Sequence, residues 1–190
     1  MKIVDVNNDI KEKLRLSGLS KKMGSLEKCD FLVIEEIDGK IVGAGGLGGF
    51  LNVPSLQIDD SYQGKGIGRI LIDALFEETR RRGYSYIAGS RNPENFRAIK
   101  LHDIHGFKRV FRVHYSSGIV RDVIILVLGS RGKIIKCFFS IFNTLPGTIL
   151  LAFFLKLVKP VFGKIFTLPP EEFPDVDIIH MIKNFEKLKD

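Results

Sequence analysis

The sequence predicts an α/β fold: a mixed, mostly antiparallel sheet flanked by helices, with a helical extension at the C-terminal end. Three observations predict it. Runs rich in Val, Ile, Phe and Tyr alternate with stretches of helical periodicity from residue 2 to about residue 128. Asp38-Gly39, between two apolar runs, is the pair that a tight hairpin needs, because both central residues of such a turn take positive φ. Residues 56–68, Leu-Gln-Ile-Asp-Asp-Ser-Tyr-Gln-Gly-Lys-Gly-Ile-Gly, read as a strand running into a glycine turn and straight into a helix.

Residues 2–6 are a predicted strand, and residues 8–23 a polar, partly helical stretch. Residues 31–37 and 40–44 pair across Asp38-Gly39, and residues 53–58 form the next strand. The helix after the glycine turn places Ile67, Ile70, Leu71, Ala74 and Leu75 on an apolar face. Glu77, Glu78, Arg80, Arg81 and Arg82 take its outer positions, and Gly83 ends it. A strand over 84–89, a helix over 95–105 closed by Gly106, and strands over 107–115 and 122–128 separated by Ser116-Ser117-Gly118 complete the pattern.

Two glycine clusters compete as phosphate sites. Gly43-Ala44-Gly45-Gly46-Leu47-Gly48 satisfies G-x-G-x-x-G, but Gly49-Phe50-Leu51-Asn52-Val53-Pro54 follows with no helical period. The helix dipole that makes that fingerprint bind is therefore missing, and these glycines read as a bulged or closely approached strand. In the second cluster, Gly64, Gly66 and Gly68 open conformations closed to residues with a Cβ and bring N–H groups towards an anion, and the following helix adds partial positive charge. A diphosphate held mainly by backbone fits this turn. A Walker loop does not, because Gly66 follows Gly64-Lys65 where Ser or Thr is needed; nor does a dinucleotide fingerprint, whose third glycine is replaced by Arg69.

A chain of 190 residues accommodates one domain of ordinary size, here residues 1–130, with an extension over 131–190. Cys29 and Cys137 make neither a metal spacing nor a disulfide framework, and nothing near Met1 resembles a cleaved signal peptide. The reading is a cytoplasmic setting and no metal. The formal charge of +7 is uneven: Arg131, Lys133, Lys136, Lys156, Lys159 and Lys164 lie between 131 and 168 with no acidic residue among them. Residues 137–155 are uncharged, about as long as the shortest membrane spans of ~17 residues. Ser140, Asn143, Thr144 and Pro146-Gly147 argue against a span. Three readings of the extension compete: that disfavoured span, a bent, basic, amphipathic hairpin on an anionic membrane surface at the inner face of a membrane, or two helices broken at Pro146-Gly147 that cover the sheet or a homodimer partner. The aliphatic content argues against nucleic acid as the partner of this stretch. Residues 168–174 read as a linker and 175–189 as a short terminal helix.

Gln63-x-x-Gly66-x-Gly68 resembles the acyl-coenzyme A signature of the GNAT superfamily of N-acyltransferases. Leu56-x-Ile58 resembles the strand before that signature, Asn95-x-x-Ala98 the second coenzyme A motif, and Leu101-His102-Asp103-Ile104-His105-Gly106-Phe107 the family's Leu-Tyr-Glu-x-x-Gly-Phe segment, all in family order within residues 2–128. The resemblance implies a GNAT-like fold that binds acetyl-CoA or another acyl-CoA through Leu56, Ile58, Gln63, Gly64, Lys65, Gly66, Ile67, Gly68, Arg69, Asn95 and Ala98. It also implies direct attack of a primary amine on the thioester in a ternary complex, with backbone N–H groups near Ile58 polarising the carbonyl.

The chain departs from that pattern at two positions. His102 stands where many relatives carry the tyrosine that protonates the departing thiolate, and an imidazole has an unperturbed pKa of ~6.5 against ~10 for a phenol. His102 is thus either a general acid or a residue packed beside coenzyme A. Asn52 stands where some relatives carry a glutamate base. Asp59, Asp60, Glu35 and Glu36 are the carboxylates at hand, and a water relay serves equally. Two function classes follow: an acyl-CoA-dependent N-acyltransferase, read as an acetyltransferase, acting on a small amine, a peptide amine or an amine presented at a membrane, or a non-catalytic acyl-CoA-binding or interaction module.

Overall fold

The computed structural model describes residues 1–17, 19, 26–49, 52–115 and 118–158. Parts of the predicted stretch over 8–23, the Ser116-Ser117 turn, the end of the extension, the linker and the terminal helix lie outside the described residues. By internal packing the chain divides between Tyr84 and Ser85 into two compact units.

In the first unit β1 (Lys2–Asp5), β2 (Cys29–Ile37), β3 (Lys40–Gly48) and β4 (Val53–Ile58) form an antiparallel sheet in sequence order. Asp38 and Gly39 take φ of 52° and 76°, as the hairpin between β2 and β3 requires. The predicted strand over 40–44 runs on through the glycines to Gly48, buried from Ile41 onward. Close approach explains these glycines. A Cβ on Gly43 would lie 2.8 Å from Leu71 Cδ1, and one on Gly46 would lie 2.7 Å from Cys29 Sγ. The ladder between β2 and β3 also shifts register twice, with the extra residue on β2 between Cys29 and Phe31 and on β3 between Ile41 and Gly43, so β3 is bulged as well as closely approached.

Helix α1 (Asn8–Leu16) starts where Asn7 Oδ1 accepts the Ile10 N–H at 2.9 Å, and it buries Ile10 and Leu14 with Cys29, Leu32, Ile34, Ile41 and Ala44. Helix α2 (Ile67–Arg81) packs on β2, β3 and β4 and buries Leu71, Leu75 and Phe76. Its faces differ from the predicted ones at two positions. Ile70 is exposed, and Glu78 is buried rather than outward, with its carboxylate 2.6 Å from both Arg81 and Arg82. Those guanidiniums, Arg81 before Arg82, hold Glu78 down to about 2. Arg82 also meets Asp5 at 2.8 Å and lies 4.4 Å from the Phe31 ring centroid, tying the end of α2 to β1 and β2.

In the second unit β5 (Tyr86–Arg91), β6 (Lys108–His114) and β7 (Val120–Val127) form an antiparallel sheet in the order β5-β7-β6. The strands thus make two antiparallel sheets. β5 starts two residues later than the periodicity suggests, because the Tyr84 N–H donates to the Thr79 carbonyl at 3.2 Å and so still closes α2. Helix α3 (Phe96–Ile104) follows β5, and Gly106 ends it at φ 86°.

The extension begins as two helices, α4 (Ser130–Ile141) and α5 (Leu145–Val158), bent by 98°. Gly132 sets α4 against the Ser85 carbonyl, where a Cβ would overlap the oxygen. Phe139 and Phe142 of this segment meet the β6 residue Phe111 edge-on at 6.1 and 5.4 Å. The break falls at Phe142 to Thr144, not at Pro146-Gly147. Proline is tolerated in a first helical turn, where its missing N–H has no intrahelical partner to lose, and Thr144 Oγ1 accepts the Gly147 N–H at 3.2 Å as the cap of α5. Among the described residues no single helix is long and apolar enough to cross a membrane; α4 and α5 together have the length and composition, but not the straightness.

The packing of β3 generates a stability prediction. A Cβ on Gly48 would run into the backbone of residues 28–30, with Cys29 Cα at 2.5 Å, the Lys28 oxygen at 2.7 Å and the Asp30 nitrogen at 2.8 Å. Gly48→Ala should therefore destabilise the protein by about 3 kcal/mol in urea unfolding, the upper end for overpacking. Gly39→Ala, whose added methyl meets nothing within 4 Å, should cost only the positive-φ strain of about 1 kcal/mol.

Candidate functional site

β4 hands the chain to the glycine turn through Asp59. The Asp59 N–H donates to the Val42 carbonyl at 2.9 Å, so Asp59 still belongs to the ladder with β3. Its carboxylate accepts from the Ser61 N–H at 3.0 Å and the Ser61 hydroxyl at 2.5 Å, and Lys40 Nζ lies 3.1 Å away. Those bonds fold Asp60–Tyr62 into one 3-10 turn. Gln63 follows in extended conformation, its side-chain amide donating to Asp60 Oδ1 at 2.7 Å.

Gly64 and Gly66 take φ of 77° and 82°, and the left-handed Gly66 is the N-cap of α2. No side chain caps that end of the helix, and its first turn contains no acid. The Gly66 carbonyl accepts from Arg69 and Ile70 at 3.1 and 3.3 Å, which closes the first turn behind the N–H groups of Ile67 and Gly68. A Cβ on Gly64 or Gly66 would meet nothing within 4 Å, so positive φ is what demands glycine there. Gly68 serves a different end. Its φ is not positive, but a Cβ would lie 2.8 Å from Ile58 Cδ1, so this glycine seats α2 on β4. Lys65 and Arg69 are exposed beside the turn, with Lys65 Nζ 4.4 Å from the Tyr62 ring centroid.

Leu56 and Ile58 pair with Gly45 and Gly43. Backbone groups of an antiparallel strand alternate between facing the partner and facing away. Since the Asp59 N–H faces β3, the N–H and C=O of Ile58 and Leu56 face away, on the outer edge of the four-stranded sheet. The helix start, the turn and this edge make the first unit an anion-binding corner beside a strand with outward-directed backbone groups.

In the second unit, Asn95 and Ala98 are brought together directly: Asn95 is the N-cap of α3, and its Oδ1 accepts the Ala98 N–H at 3.1 Å. His102 lies half-buried in the last turn of α3, its ring edge-on to Phe107 at 5.2 Å. Its Nδ1 is buried without a hydrogen bond of normal geometry. Burial, then the charge of Arg91, push the imidazole below its ordinary 6.5, and the Ala98 carbonyl and Asp103 offset this only in part. The ring is therefore neutral at pH 7. Arg91 is itself held between α3 and the sheet: its NH1 group meets Asp103 at 3.1 Å, and Nε lies 4.0 Å from buried Asp122, which Arg112 engages with two hydrogen bonds.

Asn52 is not on a strand. It sits at φ 51° in the turn before β4, where the Asn52 N–H donates to the Gly49 carbonyl at 3.1 Å, a conformation that asparagine tolerates better than glutamate does. Sequence reasoning treated Asp59 as one of several carboxylates at a strand end; the D-x-S spacing was the signal that it closes a local turn.

Asp59 generates a pH prediction. Its bonds to Ser61, and then Lys40, lower its pKa from 3.8 to about 2. The stability it contributes is fully present above pH 3.8 and disappears as pH falls through 2. Asp59→Asn should lower the melting temperature by a few degrees at pH 7, with the gap from the parent narrowing between about pH 4 and pH 2 in acid titration of thermal unfolding.

Comparison with known proteins gives the same architecture. The model of the Acetyltransferase (GNAT) family matches residues 5–107. Among solved structures, the ribosomal-protein-S18-alanine N-acetyltransferase from Escherichia coli superposes with a TM-score of 0.54 at 18% identity, covering 68% of this chain and 94% of that one. The ribosomal-protein-alanine N-acetyltransferase from Brucella melitensis gives 0.53 at 17% identity, covering 67% and 100%. Ard1 from Thermoplasma volcanium gives 0.50 at 13% identity, covering 68% and 98%. At these identities the superpositions show a shared fold, and the family model, which spans more than half of the sequence, shows that the chain belongs to the GNAT acetyltransferase family.

Proposed function

We propose that this chain is an acyl-CoA-dependent N-acetyltransferase that transfers the acetyl group to a primary amine by direct attack. The observation that carries the proposal is the left-handed Gly66 cap, which leaves the first turn of α2 without a capping side chain or an acid where a pyrophosphate would sit. Gln63 to Arg69 would hold the diphosphate through backbone, with Lys65 and Arg69 supplying cations. Leu56 and Ile58 would flank the pantetheine arm, and the outward N–H of Ile58 would polarise the thioester carbonyl. Asn95 and Ala98 complete the proposed coenzyme A contacts.

The thioester supplies an acyl carbon with a good leaving group. The amine must arrive neutral; its nitrogen forms the new bond to that carbon as the carbon–sulfur bond breaks, the nitrogen loses a proton, and the thiolate gains one. His102 is the proposed donor. Because its ring is neutral at pH 7, it would act through a ring N–H hydrogen bond to the departing sulfur rather than as imidazolium. The same neutrality supports the second reading, a non-catalytic acyl-CoA-binding module, since a neutral imidazole is a weaker donor than a protonated one. Turnover of acetyl-CoA with an amine panel separates the two.

Gly66→Asp places a carboxylate in the proposed phosphate site and should abolish coenzyme A binding in calorimetry. Gly66→Ala adds a methyl that meets no protein atom within 4 Å, so that variant should stay folded and bind more weakly. Unchanged affinity in both would remove the phosphate-site assignment. His102→Ala should lower the transfer rate by roughly ten- to a thousandfold with little change in coenzyme A affinity, and His102→Tyr should retain much of the rate. Loss of affinity at unchanged rate would instead assign His102 to packing.

A further inference from the structure

We propose that α4 and α5 form a docking surface for an anionic lipid bilayer, lying in the interface rather than crossing it. Each helix has one packed face and one outward apolar stripe. On α4 the outward stripe is Ile134, Cys137, Phe138 and Ile141; on α5 it is Leu150, Phe153, Phe154 and Leu157. Both stripes have the i, i+3, i+4, i+7 spacing of a helix face, although each helix already buries a different set, Gly132 and Phe139 on α4 and Thr148, Leu151 and Ala152 on α5. Phe138 is 52% exposed, Phe153 60% and Leu157 79%, more than scattered surface residues explain.

Charge selects the occupant. From residue 129 to 158 the described chain carries Arg131, Lys133, Lys136 and Lys156 and no Asp or Glu. A second copy seated on this surface would bring an identical set of cations against the first with no acid to offset them. An anionic bilayer supplies both counter-charge and an apolar layer for the Phe and Leu side chains. The geometry excludes a span. At 1.5 Å per residue the helices reach only about 18 and 21 Å, against ~30 Å of hydrocarbon. The 98° bend is fixed: Thr144 caps α5, the Thr148 hydroxyl donates to the Phe142 carbonyl at 3.1 Å, and Gly147 approaches the Ile141 carbonyl too closely for a Cβ.

Flotation of the full chain with phosphatidylcholine vesicles, with and without phosphatidylglycerol, tests the proposal. The protein should float only with the anionic vesicles and be released as salt rises. Arg131→Gln with Lys133→Gln should weaken binding about thirtyfold, taking about fivefold per cation near the surface. Leu150→Ser with Phe153→Ser and Leu157→Ser, all at exposed positions, should abolish flotation while leaving the circular dichroism spectrum and coenzyme A affinity as in the parent. No flotation with either vesicle type overturns the proposal, as does salt-insensitive flotation with both. So does a concentration-dependent dimer in sedimentation that the triple Ser variant abolishes while lipid binding is absent. Flotation can fail while coenzyme A still binds, so this outcome and failure of the transferase reading are distinguishable.

Discussion

A strand in which glycine alternates with buried apolar residues governs the first unit. β3 presents Gly43 towards α2 and Gly46 and Gly48 towards residues of the neighbouring β2, so helix and strand both lie closer to its backbone than a Cβ would permit. Each glycine in a strand costs roughly 0.5–1 kcal/mol of conformational entropy. Against that, Leu32 and Leu71 are fully buried, each contributing roughly 1.5–3 kcal/mol, so the exchange favours the fold. The same device recurs at Gly68, where α2 meets β4. Position then follows from packing: a helix seated this deeply aims its start at one fixed place, where the left-handed Gly66 turns the chain.

Two buried carboxylates show how this protein handles charge in its interior. Glu78 is clasped by Arg81 and Arg82, and Asp122 by Arg112 with Arg91 nearby. Removing one partner of such a group strands an uncompensated charge, which costs far more than a surface pair contributes. In the second unit this arrangement acts beyond stability. Burial lowers the pKa of His102 most, and the guanidinium of Arg91 that serves Asp103 adds to it, so the scaffold's ion pairs reach the proposed donor.

Much of the fold was legible in the sequence because its signals were local. Asp38-Gly39 sets its hairpin by backbone preference alone, and Gly66 is demanded by the sign of one dihedral angle. What escaped depended on side-chain geometry, partly between residues distant in the chain and partly within a single turn. The glycines of β3 read as a closely approached strand, but that β2 and α2 are what approach it is revealed by no window of residues 40–48. Glu78 reads as an outward acid by helical period, and only the arrival of two arginines at the end of the same helix turns it inward. Asn95-x-x-Ala98 was visible as a motif, whereas its local meaning, a helix cap, required geometry. The break in the extension was misplaced because Pro146-Gly147 outweighed the capping threonine two residues earlier.

The two thiols differ as sharply as two cysteines in one chain can. Cys29 is enclosed beneath Gly46 and Gly48, and burial, with Asp30 adding to it, pushes its thiol up to about 12. It holds almost no thiolate at neutral pH and is inert to alkylating reagents while β2 and β3 remain paired. Cys137 lies exposed on α4. A maleimide therefore marks the two sites on separate clocks, Cys137 at the rate of chemistry and Cys29 at the rate at which the β2–β3 ladder opens. The chain carries its own reporter of local unfolding at the centre of the first unit, with an internal standard on its surface.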